Sequence, residues 1–147
     1  MNIDKYRKQE ILTVIAYALS SLSFILFYFA DYQKNGFTKV LGYLLPSVFW
    51  AGLVIGVIMQ VVISVKLKGK ANNRVGIISF FKNKYALIFD ILMIISFIVT
   101  SILMILKINN FAAFLAISLM IFSFELHCVF NGKYFNYILT KEDNKNE

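Results

Sequence analysis

The sequence predicts an all-α, polytopic membrane protein: a bundle of four transmembrane helices joined by short loops. Three observations lead there. Hydrophobic residues fill 59% of the 147 positions and charged residues only 16%, with a mean hydropathy of +0.71. Soluble domains run at roughly 45–50% apolar and about 25% charged, and a chain this small has too little interior to hide the excess. Intrinsic disorder needs the opposite bias. The apolar residues also gather into four stretches of membrane-crossing length, and the basic residues between them fall mostly on alternate connections.

Crossing a hydrocarbon core of about 30 Å takes about 20 residues at the helical rise. The stretches are Ile11 to Ala30, Leu41 to Val65, Ala86 to Leu106, and Phe111 to Phe130. Backbone groups in lipid must be paired internally, so each is expected to be a helix even where β-branched residues would favour a strand in water. Tyr28 and Ala30 make no A-x-A-like cleavage site, and the first stretch exceeds a leader's apolar region, so it reads as a span. Pro46 is expected in the first turns of the second span, where few helical N–H bonds are lost. The outer connections, Asp31 to Val40 and Lys107 to Asn110, are too short for an extracellular domain, and the polar tail Lys141 to Glu147 is expected to be disordered. Residues 1–147 therefore read as one membrane domain, with no internal repeat between the two helix pairs.

Orientation follows from charge. Twelve of the fifteen basic residues lie in the N-terminal segment, the central connection and the tail, against Lys34, Lys39 and Lys107 on the other side. The positive-inside rule then puts both termini in the cytoplasm of a cell-membrane protein. Tyr28, Tyr32, Phe37 and Tyr43 mark the outer boundary, and Phe80, Phe81, Tyr85, Tyr134, Phe135 and Tyr137 the inner one. Two segments are expected along the inner surface: Ile77, Phe80 and Phe81, and, after the Asn131-Gly132 turn, Tyr134, Tyr137 and Ile138. Apolar anchors flanked by cations suit an anionic inner leaflet.

Ionisable side chains inside a span are costly and invite a functional reading. Asp90, Glu125 and His127 qualify, at a similar depth in the cytoplasmic half, with Gln60 of the second span at their level and Thr13 of the first nearby. At about 100° per residue, Glu125 points about 200° away from His127, so the two cannot serve one ligand from a regular helix. Asp90 could meet His127 or share a proton with Glu125. Alternatively, a carboxylate two turns from the interface snorkels to headgroups or meets Lys66 or Lys84, as a topological anchor. His127 on a small-residue face suits a packing role as well as ligation, and Glu125, Leu126, His127 and Cys128 scatter their donors over different faces, so no metal site is expected.

Small residues provide the other signal. Gly52 and Gly56 form a GxxxG, continued at four-residue spacing by Gln60 and Ser64, which permits close helix approach within the bundle or against another chain. Thr13, Tyr17 and Ser20, and Ser96, Thr100 and Ser101, read as interhelical hydrogen-bonding residues. Cys128 has no partner for an intrachain disulfide, and there is no Gly-rich phosphate loop, HExxH or GxSxG, nor a second histidine for a nucleophile pair. An enzyme, a cofactor and nucleic-acid binding are not expected; the basic balance is explained by topology. The expected function is helix–helix contact, as an accessory or regulatory subunit or a self-associating module, with the bilayer and another membrane protein or itself as partners. The alternative is a small transporter or channel for a cation or cationic compound, with Asp90 and Glu125 as exchanging carboxylates.

Overall fold

A computed structural model describes residues 3–32, 36–67 and 80–143. They form five helices, α1 (Ile3–Tyr32), α2 (Gly36–Lys66), α3 (Leu87–Leu106), α4 (Asn110–Phe130) and α5 (Lys133–Asp143), with no strand among the described residues. Four segments are long and apolar enough to cross a membrane: Tyr6–Ala30, Lys39–Lys66, Leu87–Leu106 and Asn110–Ile138.

The helices run past the apolar stretches that announce them. α1 begins two turns before Ile11, because Lys8, Gln9 and Glu10 are polar yet good helix formers. α2 begins at Gly36, so Pro46 stands in the helix interior rather than in its first turns. The bond that its missing N–H would have made to Gly42 is lost, while the neighbouring Ser47 hydroxyl donates to the Tyr43 carbonyl at 3.0 Å. Likewise Lys141 to Asp143 are not a loose tail but the end of α5; residues 144–147 lie outside the described region. Ile77 also lies outside it, and Phe80 and Phe81 occupy a turn instead of a surface helix.

α3 and α4 reverse direction within three residues. Lys107 takes a left-handed conformation (φ 52°) that returns its N–H to the Leu103 carbonyl, and the Asn109 side chain accepts the Ala112 N–H at 3.1 Å to start α4. Asn109 is thus the N-cap of α4.

The four long helices lie side by side in the order α2, α1, α4, α3, and the two flanking helices make no extended contact with each other. Burial follows that order. α2 buries a single stripe, Leu45, Gly52, Gly56, Gln60 and Ile63, and α3 buries Asp90, Ser96 and Thr100. The inner helices bury two faces each: on α4, Ala116, Ser123 and His127 turn one way while Ser118, Glu125 and Val129 turn the other. Small residues let the helices approach. A Cβ on Gly52 would stand 2.6 Å from the Ala16 carbonyl oxygen, and one on Gly56 would enter the Tyr17 ring, so the GxxxG face is consumed by α1 within the chain.

Aromatic rings close the end of the bundle near the α3–α4 reversal, where Phe24 of α1 sits 5.5 Å from Phe49 and 5.4 Å from Phe114, and Tyr28 packs on Phe111 at 5.3 Å. At the other end Ile63, Leu67 and Tyr134 form a small apolar core that binds α5 back onto α2, with Tyr6 and Ile138 against it. Tyr134, Tyr137 and Ile138 therefore stand on a helix at the expected spacing, but Tyr134 is buried in protein.

Candidate functional site

The buried ionisable residues of the long helices collect in three separate seams, each between two helices. In the α3–α4 seam, Asp90 occupies the first turn of α3 and His127 the last turn of α4, the ends at which a helix dipole favours an acid and a base respectively. Both are fully buried, and His127 Nδ1 pairs with Asp90 Oδ1. The second carboxylate oxygen accepts the Phe81 N–H at 2.7 Å. Asn131 Nδ2 lies 3.1 Å from His127 Nε2 and 3.4 Å from Nδ1, so the amide packs against the imidazole.

The turn before α3 seals this pair. Phe81 adopts φ 57°, which turns its N–H onto Asp90, and the Phe80 ring stacks on the imidazole with centroids 4.4 Å apart. Asn83 holds the turn by accepting the Tyr85 N–H at 3.0 Å and donating to the Phe130 carbonyl at 2.9 Å. Asp90 and His127 are thus enclosed and mutually satisfied, an arrangement that ties α3, α4 and the preceding turn together. Asp90 is not a snorkelling anchor at Lys66 or Lys84: its carboxylate is turned inward.

The α1–α4 seam holds Glu125. Ser21 Oγ donates to Glu125 Oε2 at 3.0 Å, and Ser118 Oγ donates to the Ser21 carbonyl at 2.8 Å. Glu125 leaves α4 on the face opposite His127, so it does not share a proton with Asp90; helical phase separates them although their depths agree. It is 3% exposed and turned to Ser21, which removes the anchor reading here too.

The α1–α2 seam holds a residue that sequence reasoning missed. Glu10, one position before the first apolar stretch, is 4% exposed, and its Oε1 accepts Gln60 Nε2 at 3.2 Å. Gln60 therefore joins Glu10 and not the Asp90 and Glu125 level of the other seams. The signal was present: Glu10, Thr13, Tyr17 and Ser20 recur at helical spacing, and all four are buried. Thr13 Oγ1 returns to the Gln9 carbonyl at 3.0 Å. Gly132 makes room for Gln60, since a Cβ there would lie 2.9 Å from Gln60 Oε1.

The candidate residues Asp90, Glu125, His127 and Gln60 thus lie at related depths but in different seams, and no single ligand reaches all of them. Among the described residues no group of three or more His, Cys, Asp or Glu side chains is placed to hold a metal ion. Comparison of the chain with protein-family models, curated proteins and solved structures finds no match.

Proposed function

We propose that this chain is a four-span protein of the cell membrane, with both termini in the cytoplasm, that acts through helix–helix contacts as an accessory or regulatory subunit or a self-associating module. The observation that carries this reading is the open row. Its polar side chains are divided among two-helix seams and surround no common axis, whereas a transport path needs such groups around one lumen. The flanking helices α2 and α3 each turn a broad apolar face outward, with Trp50, Val54 and Ile58 on one and Ile91, Ile95 and Ile98 on the other. Lipid or another helix satisfies such faces equally in hydrophobic terms, and packing then decides association. The test is purification in a gentle detergent: a complex or oligomer of fixed composition is the expected result, and a lone monomer from native membranes counts against the reading.

Orientation is supported by the twelve basic residues on one side. In a Cys128→Ser background, cysteine at exposed Asn110 should react with a membrane-impermeant thiol reagent added outside intact cells, and cysteine at exposed Lys84 should react only after permeabilisation. The reverse pattern inverts the topology.

A second reading has one observation in its favour. Glu125 is buried with a serine hydroxyl as its hydrogen-bond partner, the kind of intramembrane carboxylate that exchangers use. On that reading, reconstituted liposomes show a pH-driven cation flux that Glu125→Gln abolishes in a folded protein, because an amide cannot cycle a proton. The subunit reading expects no flux above empty liposomes.

A further inference from the structure

A cleft of about 620 Å³ opens at the foot of the α1–α4 groove, where α5 folds against it. Its walls are apolar and aromatic, with Ile11 from α1, Leu126 and Phe130 from α4, and Phe135 and Ile138 from α5. Two charged side chains line it, Arg7 and Glu10. Three residues apart on one helix, they are neighbours on one face, with about 5–6 Å between Cβ atoms. Arg7 is exposed, whereas Glu10 is 4% exposed. Gln60 occupies Glu10 Oε1, and Oε2 is buried with no hydrogen-bond partner. A buried carboxylate oxygen left in that state is costly, and what completes it is an N–H, best of all from a cation.

The cleft does not end at its foot. A second hollow of about 380 Å³ lies further along the same two helices, between Leu22 and Ile25 of α1 and Leu119 and Phe122 of α4. Ile11, Leu22 and Ile25 on α1, and Leu119, Phe122 and Leu126 on α4, continue one face of each helix at three- and four-residue steps, so both hollows open on the same side of the row. Together they make a groove that is apolar along its length and carries one cation and one anion at its end.

We propose that this groove holds a phospholipid with a phosphoethanolamine headgroup. The phosphate meets the Arg7 guanidinium, whose planar fork matches phosphate oxygens; the primary ammonium donates to Glu10 Oε2; and an acyl chain lies along the groove toward Ile25. Charge complementarity selects this headgroup over its common alternatives. A choline headgroup has the same phosphate, but its quaternary nitrogen has no N–H to give Glu10. A glycerol headgroup has no cation, and it sets an anionic phosphate beside the carboxylate. The inference rests on the membrane reading above, which puts Arg7 and Glu10 at the cytoplasmic boundary.

The test uses the purified full-length protein, delipidated in detergent and titrated with ethanolamine, choline and glycerol phospholipids of identical acyl chains, with bound lipid counted by native mass spectrometry. One charge-assisted hydrogen bond sets the scale, so the ethanolamine lipid should bind roughly tenfold more tightly than either of the others. Glu10→Gln keeps an acceptor for Gln60 and should fold, yet its preference should shrink to within about twofold. Arg7→Gln, at an exposed position, should weaken ethanolamine and choline lipids alike and leave their ratio unchanged. Should Glu10→Gln fail to fold, wild-type selectivity and Arg7→Gln decide the matter. Equal binding of the three lipids, a preference that survives Glu10→Gln, or a ratio that changes in Arg7→Gln overturns the proposal. Alkaline extraction of native membranes reads the underlying premise separately: a chain that stays in the membrane but shows no headgroup preference refutes the lipid site alone, and one released as a soluble protein refutes the membrane reading.

Discussion

Replacing His127 with Ala is expected to destabilise the folded protein by about 1–3 kcal/mol or more, the cost of leaving a buried hydrogen-bonding group without its partner. Asp90 would keep only the Phe81 N–H, and its carboxylate would remain fully enclosed with nothing else to neutralise it. The imidazole also supports the Phe80 ring, so the turn ahead of α3 should loosen with it. Asp90→Ala should be destabilising as well, because it strands both the His127 imidazole and the Phe81 N–H. The double variant should be less damaged than the sum of the two, since neither side chain then strands the other. Unfolding in mixed micelles of the two single variants and the double variant measures this cycle. Additive effects would show that the pair is not coupled and that each residue serves elsewhere.

Replacing Gly52 and Gly56 together with Leu should be at least as damaging, although it makes α2 more hydrophobic. The space at both positions is filled by α1: the Ala16 carbonyl stands 2.6 Å and Ser20 Cβ 2.9 Å from where a Gly52 Cβ would lie, and the Tyr17 ring occupies the Gly56 position. Backbone cannot retreat as a flexible side chain can. Each substitution should cost about 1–3 kcal/mol or more through overpacking, and α2 should be pushed from the row. The displacement would also separate Gln60 from Glu10. Thermal unfolding in detergent and protease sensitivity of the connection between α1 and α2 report it. Unchanged behaviour would place the glycine face against lipid and remove the α1–α2 seam from the account.

In a chain read as membrane-spanning, much of the fold is legible without coordinates because lipid leaves the backbone so few options. Once an apolar stretch is long enough to cross, hydrogen bonding requires a helix, and Ile11 to Ala30 or Phe111 to Phe130 can be read from composition alone. Helix ends are less legible, since nothing in Lys8-Gln9-Glu10 opposes continuing a helix already nucleated by its apolar neighbour. That single misplacement hid Glu10. Asp90 and His127 can be matched from depth and phase, because a three-residue reversal makes α3 and α4 antiparallel neighbours. The partner of Glu125 cannot be matched in this way. Ser21 comes from the other end of the chain, and only the order α2, α1, α4, α3 brings it there. Lateral order among apolar helices is set by side-chain fit, and composition carries little of that information.

The most direct test of the proposal that this protein works through its outer helix faces is photo-crosslinking in native membranes. A photoreactive residue would be placed in turn at Trp50, Val54 and Ile58 on α2 and at Ile91, Ile95 and Ile98 on α3, all exposed in the isolated chain. The account expects a discrete protein adduct of one mass from neighbouring positions on at least one of these helices, and none from a probe at Phe122 in the α1–α4 groove. Probes that yield only lipid adducts at all six positions would contradict it.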